Sequence, residues 1–70
     1  MENVVAPLDA NVWKIHVAVG DVVEIDDEIV ILEALKMESP VYASTDGTVV
    51  KVAVKEGDKV TEDQILVVIE

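Results

Sequence analysis

Cysteine is absent from this chain, so neither disulfides nor thiolate metal sites can support its fold. The absence fits a reducing compartment. Arginine is absent too: five lysines stand against fifteen acidic residues, and the formal net charge is −10. Such a surface repels phosphate backbones and argues against nucleic acid as a partner. It favours solubility and basic protein partners. No segment approaches the roughly 20 apolar residues of a membrane helix. The N-terminal Met1-Glu2-Asn3-Val4 has neither the basic region nor the apolar run of a signal peptide. The expectation is a cytoplasmic protein without membrane insertion. Aromatics are reduced to Trp13 and Tyr42, both expected to serve packing. The single histidine, His16, has no further ligands at metal spacing and is expected to be solvated on a strand face shared with Lys14. No nucleophile–base pairing and no phosphate loop is present, so no catalytic and no metal-binding residue is assigned. Glu24–Glu28 holds four carboxylates in five residues and reads as a solvated turn.

What is present is β-branched residue in quantity. Val and Ile suit pleated strands, and no stretch carries a sustained apolar stripe at helical spacing, so the fold class is all-β. The 70 residues suffice for one domain, residues 1–70. A chain of this size buries only about 60% of its unfolded surface, so its core must be compact and its loops short.

An internal repeat organises the chain. At an offset of 37, Val5–Glu33 aligns without gaps on Tyr42–Glu70, and 11 of the 29 pairs are identical. Among them are Ala6/Ala43, Asp9/Asp46, Val12/Val49, Gly20/Gly57, Asp21/Asp58, Asp26/Asp63 and Glu33/Glu70. Composition alone would give roughly three identities. Each copy reads as four short strands: Val4–Pro7, Val12–Val19, Val22–Ile25 and Glu28–Glu33, matched by Val41–Ser44, Val49–Lys55, Lys59–Thr61 and Gln64–Ile69. Val12 and Ile15 are three apart but Ile15 and Val17 two apart, which requires a bulge near Trp13-Lys14. Val49, Val52 and Val54 repeat that phase change. Gly20-Asp21 and Gly57-Asp58 read as equivalent turns, and Asp46-Gly47 as a third. Its counterpart, Asp9-Ala10-Asn11, lacks Gly, and Asn11 is expected to take the left-handed conformation there. Two equivalent halves suggest a flattened β-barrel or sandwich of two four-stranded halves with pseudo-two-fold symmetry. Strands of one half would lie beside those of the other and leave few exposed edges.

The repeat does not account for Ala34-Leu35-Lys36-Met37-Glu38-Ser39-Pro40-Val41, which joins the copies. The flanking strands run almost directly into it, so it should be a β-hairpin tip with Lys36 at its turn centre or one residue before it. Both termini should lie at the other end of the molecule. Hairpin tips favour Asn, Asp and Gly, yet this one carries Leu35 and Met37 around a lysine. Such apolar side chains either fold back onto the barrel, leaving Lys36 a solvated charge, or form a surface whose burial a partner supplies.

The segment Glu33-Ala34-Leu35-Lys36-Met37-Glu38 resembles the Ala-Met-Lys-Met motif of the biotinyl domain (biotin carboxyl carrier) family. Gly20-Asp21, Gly57-Asp58, Ala6-Pro7 and Asp46-Gly47-Thr48-Val49 are similar to further family features, and the resemblance covers nearly the whole chain. It implies a barrel of the biotinyl/lipoyl hammerhead type, with biotin joined to Lys36 by a biotin protein ligase. Glu33, Ala34, Leu35, Met37 and Glu38 would be the residues recognised around it. It further implies a carrier that is not itself an enzyme. That carrier would serve a biotin-dependent carboxylase or decarboxylase, such as an acyl-CoA carboxylase, by moving a carboxyl group between biotin carboxylase and carboxyltransferase components. Two departures stand out: Leu35 replaces the usual Met, and Asp9-Ala10-Asn11 replaces a stretch with Gly. Lipoyl carriers share the barrel but usually place Asp before the lysine and Ala after it, so Leu35 and Met37 favour biotin. An unmodified barrel acting as a structural adaptor would assign Lys36 nothing special. Because Leu and Met have similar volume, Leu35→Met is expected to cost at most about 1.5 kcal/mol. Its biotinylation rate in a ligase assay should be equal to or faster than that of the unaltered chain, and a sharp decrease would show that Leu35 is an adaptation.

Overall fold

The computed structural model describes all 70 residues as eight strands: β1 Glu2–Val5, β2 Ala10–Ile15, β3 Val22–Val23, β4 Glu28–Ala34, β5 Met37–Tyr42, β6 Gly47–Val52, β7 Lys59–Val60 and β8 Ile65–Ile69. They form two four-stranded sheets, ordered β1-β8-β6-β3 and β5-β4-β2-β7. Replacing each strand by its partner 37 residues away turns one order into the other. The pseudo-two-fold is therefore a property of the topology as well as of the sequence. Each sheet draws on both copies, as expected: β2 pairs with β7 and β3 with β6.

The turns repeat atom for atom. The Ala18 N–H donates to Asp21 Oδ2 at 2.9 Å, and the Lys55 N–H to Asp58 Oδ2 at 2.9 Å. Gly20 and Gly57 take φ of 98° and 93°, which costs glycine little because it has no Cβ. Their N–H groups then cross between copies: Gly20 donates to the Val49 carbonyl at 2.8 Å and Gly57 to that of Val12 at 2.7 Å. Asp26 and Asp63, at φ of 71° and 68°, likewise send their N–H groups to the Ala43 and Ala6 carbonyls. The acidic Glu24–Glu28 turn is thus built partly by its own side chains, with Asp27 Oδ2 accepting the Glu24 N–H at 2.9 Å. The same cap recurs where Gln64 accepts the Thr61 N–H at 3.1 Å.

Between the sheets lie Val12, Ile29, Val30, Leu32, Val49, Val60, Leu66, Val67 and Ile69, all essentially without exposure, and no polar residue is buried with them. Fully burying one such side chain contributes about 1.5–3 kcal/mol. Register shifts at Val12/Lys14 and Val49/Lys51 are the two expected bulges. Each puts two consecutive residues on the outer face, Trp13 with Lys14 and Val50 with Lys51.

Several sequence expectations are corrected. The second strands stop at Ile15 and Val52 rather than Val19 and Lys55, because the Asp21 and Asp58 caps already bend the chain at Ala18 and Lys55. The first strands are shifted as well, to Glu2–Val5 and Met37–Tyr42. Asn11 does not take positive φ; it is an ordinary strand residue, and the bend before it is held by Asp9 Oδ1 accepting the Glu62 N–H at 2.8 Å. Gly47 is likewise a strand residue and not a turn. A Cβ there would stand 2.5 Å from the Glu70 carbonyl oxygen and 2.7 Å from Ile69 Cγ2, so close approach requires glycine. Trp13 and Tyr42 do not pack in the core: they are 42% and 52% exposed. His16 lies beyond β2 and is partnered rather than simply solvated, its Nε2 2.9 Å from Glu28 Oε1. Gly47→Ala should therefore destabilise the fold by about 1–3 kcal/mol through overpacking. The two-fold-related Ala10→Gly should cost no more than about 1 kcal/mol, and urea unfolding of the two variants tests the difference.

Candidate functional site

Strands β4 and β5 are the longest paired segment, running from Glu28↔Tyr42 through a register shift at Glu28/Val30 and then in register from Val30↔Val41 to Ala34↔Met37. Only Leu35 and Lys36 remain to turn the chain, with φ of 50° and 64°. Positive φ at both central residues is the type I′ pattern, whose twist matches that of the strands it joins. Lys36 is thus the second of two turn residues, at the tip the sequence predicted. The pseudo-two-fold relates this tip to the paired termini, where Glu2 faces Ile69 in the other sheet.

Type I′ turns ordinarily use Asn or Gly, and a left-handed conformation costs other residues roughly 1–2 kcal/mol each. Two such residues in succession are held here by the ladder beneath them. That ladder is anchored by Ile29, Val30 and Leu32 in the core. Backbone strain retained in this way is characteristic of functional sites. Its effect is to direct consecutive side chains outward. Leu35 is 95% exposed and Met37 70% exposed, so neither folds back onto the barrel. Lys36 is exposed as well. The only contact between a basic and an acidic side chain is that of His16 with Glu28, so the Lys36 amine stands free of any carboxylate.

One step down the ladder Glu33 and Glu38 face each other, both exposed. Like charges in direct opposition are destabilising across a sheet, so this pair is not explained by the fold. Ala34, half-buried, packs against the core and ends β4. An open cleft of about 240 Å³ lies beside the hairpin, between Asn11, Glu33, Leu35 and Lys59. A larger one of about 360 Å³, around His16, Asp21 and Asp27, touches the hairpin only at its base, through Glu28. No three His, Asp or Glu side chains are grouped to hold a metal ion. The hairpin brings together all six residues singled out from the sequence, Glu33 through Glu38. Sequence reasoning missed the left-handed turn, because neither Asn nor Gly marks it.

Such a barrel, presenting one free lysine on a strained, projecting hairpin, is a frame able to support a covalently attached group. Known proteins agree. The family described as "Biotin-requiring enzyme" matches residues 4–69. A biotin/lipoyl attachment protein of Bacillus subtilis is 48% identical over 56 residues, covering 80% of this chain and 77% of that protein. A biotinylated protein TB7.3 homolog of Mycobacterium leprae is 40% identical over 68 residues, covering 97% and 96%. Among solved structures, the urea carboxylase of Kluyveromyces lactis superposes with a TM-score of 0.92 at 38% identity, over 99% of this chain but 6% of that one. The chain belongs to the biotin/lipoyl attachment family. Its covalent cofactor is biotin, and its role is that of a biotin-dependent carrier rather than a catalyst.

If the turn stores strain, Leu35→Gly should stabilise the protein by about 0.5–1 kcal/mol, the relief of the left-handed leucine less the entropy glycine loses on folding. Chemical unfolding measures this, and a loss of stability would show that the leucine side chain supports the hairpin.

Proposed function

We propose that Lys36 is the residue that carries biotin. The observation that supports this most directly is its free amine on a two-residue turn between exposed Leu35 and Met37. The residues present fit the group. An amide forms at an exposed amine without displacing any intramolecular partner, and the lysine stem with the acyl chain makes one flexible tether. Acylation removes one positive charge, taking the formal net charge from −10 to −11. When bound, biotin supplies a ureido nitrogen that accepts and releases a carboxyl group.

The protein's own part is mechanical. β4 and β5 hold the attachment point rigidly, while the tether above it moves. A tethered group samples neighbouring active sites at high effective concentration without diffusing away. Leu35 and Met37 offer apolar contact, and Glu33 and Glu38 offer a paired negative charge, to the enzymes that handle the tip. We assign a biotin protein ligase to the attachment. We assign the biotin carboxylase and carboxyltransferase components of a biotin-dependent carboxylase or decarboxylase to the use of the carrier. Support comes from a relative named as the alpha3 subunit of a biotin-dependent acyl-coenzyme A carboxylase, 42% identical over 65 residues, of which this chain spans 11%. The cysteine-free composition supports a cytoplasmic setting. No helix is long and apolar enough to cross a membrane.

The lipoyl alternative is favoured by the shared biotin/lipoyl attachment family and by a TM-score of 0.75 at 31% identity to the lipoyl domain of a 2-oxoglutarate dehydrogenase complex. Intact mass after co-expression with a biotin ligase separates the readings. The expected result is a shift of one biotinyl group, abolished in Lys36→Ala. An unshifted mass or a lipoyl-sized shift would overturn the assignment.

A further inference from the structure

The outer face of the sheet that carries Lys36 is arranged in rows that the strand register defines. Nearest the tip, Glu38 faces Glu33, Glu33 faces Asn11, and Asn11 faces Lys59. The next row is Pro40, Ile31 and Lys14, with Trp13 added by the bulge. The third is Tyr42 and Glu28, with Glu28 bonded to His16. A band of Pro40, Ile31, Trp13 and Tyr42 is therefore bordered by carboxylates on the side of the tip and again by Glu28.

The two-fold provides an internal control. Folding makes the same demands on the equivalent face of the other sheet, and there the positions of Trp13, Pro40 and Tyr42 are held by Val50, Asn3 and Val5. Small aliphatic and polar residues thus satisfy the architecture. The chain contains two aromatic side chains, buries neither, and places both on the face that bears the lysine. Lys14 Nζ lies over the Trp13 ring, 5.2 Å from its centre, so a cation already touches one face of that ring. Tyr and Trp are enriched where protein surfaces meet and dominate the energetics of such contacts. The outer edge of β5 argues against strand addition as the mode of contact. Counting from the two-residue turn, Pro40 occupies a position whose N–H would point away from β4, so proline removes a donor from that edge.

We propose that the Trp13–Ile31–Pro40–Tyr42 face is the docking surface for the enzyme that carboxylates the carrier, through a partner surface with an apolar centre and a basic rim. The inference rests on the assignment of biotin to Lys36. The rim is specified by Glu28, Glu33 and Glu38 on a chain of net charge −10. The distance favours this partner over the ligase. The band begins about 13 Å from the tip, at Pro40, and reaches about 20 Å at Tyr42, four and six residues from Lys36 at roughly 3.3 Å each. A ligase must close around the bare amine, whereas an enzyme gripping the sheet can still receive the end of the longer, loaded arm.

The test uses carrier whose biotinylation is established by intact mass. A purified biotin carboxylase subunit is supplied with ATP and bicarbonate, and ADP release is followed against carrier concentration. Trp13→Ala with Tyr42→Ser should raise KM for the carrier about tenfold and leave kcat within twofold. The two-fold-related Val50→Ala with Val5→Ser should leave both within twofold. Added salt should raise the KM of the unaltered carrier. Equal KM values for the two double variants overturn the proposal, as does slowed biotinylation by the ligase with an unchanged carrier KM. An unshifted mass overturns both this surface and the attachment at Lys36, whereas a shifted mass with equal KM values overturns the surface alone. Thermal unfolding of both double variants checks that the exposed substitutions leave the barrel folded.

Discussion

Reciprocal main-chain hydrogen bonding between the two copies of the repeat is the constraint on which the molecule depends. Gly20 bonds Val49 while Gly57 bonds Val12, and Asp26 bonds Ala43 while Asp63 bonds Ala6. Neither copy can satisfy its own turns. Each needs the other's carbonyls, and each sheet is completed by a two-residue strand from the opposite copy. A 70-residue chain without disulfides has little surface to bury. Interlocking two short motifs lets both sheets close over one core of valine, isoleucine, leucine and alanine. It also commits the junction between the copies to a hairpin, since β4 and β5 must be antiparallel neighbours.

The site follows from that commitment. The two-fold maps the β4–β5 hairpin onto the β1–β8 pair, so one pole of a symmetric object carries a tight turn that the other does not. That turn can be strained, because the paired strands below it are fixed in the core, and Leu35 and Lys36 both accept left-handed backbone there. The result is a paired base and a projecting amine, the arrangement that the proposed attachment at Lys36 requires. The carboxylates at Glu33 and Glu38, the exposed leucine and methionine at the tip, and the aromatic band below it all depart from what stability alone would select. They are concentrated on one sheet.

Much of this was legible in the residues. The offset of 37, the Gly-Asp turns and the phase change at Trp13-Lys14 each rest on local rules, and each appears in the structure at the expected place. The hairpin could be located because it is the segment the repeat leaves over. Where expectation failed, a distant contact had overruled a local signal. Asp46-Gly47 looks like a turn, yet Gly47 is a strand residue whose missing Cβ admits the Glu70 carbonyl. Asn11 seemed to need left-handed backbone, but a cap from Asp9 to Glu62, 53 residues away, makes that unnecessary. Trp13 and Tyr42 read as packing residues, since hydrophobicity alone does not say which face of a strand looks outward.

By itself, then, the sequence determined the strand composition, the duplication and the segment that bears the lysine, because alternation, repetition and turn chemistry act over a few residues. The tertiary structure alone decided that two residues without Asn or Gly would form the tip, that Gly47 serves close approach, and that both aromatics share the outer face of the lysine-bearing sheet. Those features depend on which strand lies beside which. That is set by pairings between residues tens of positions apart, which no local pattern encodes.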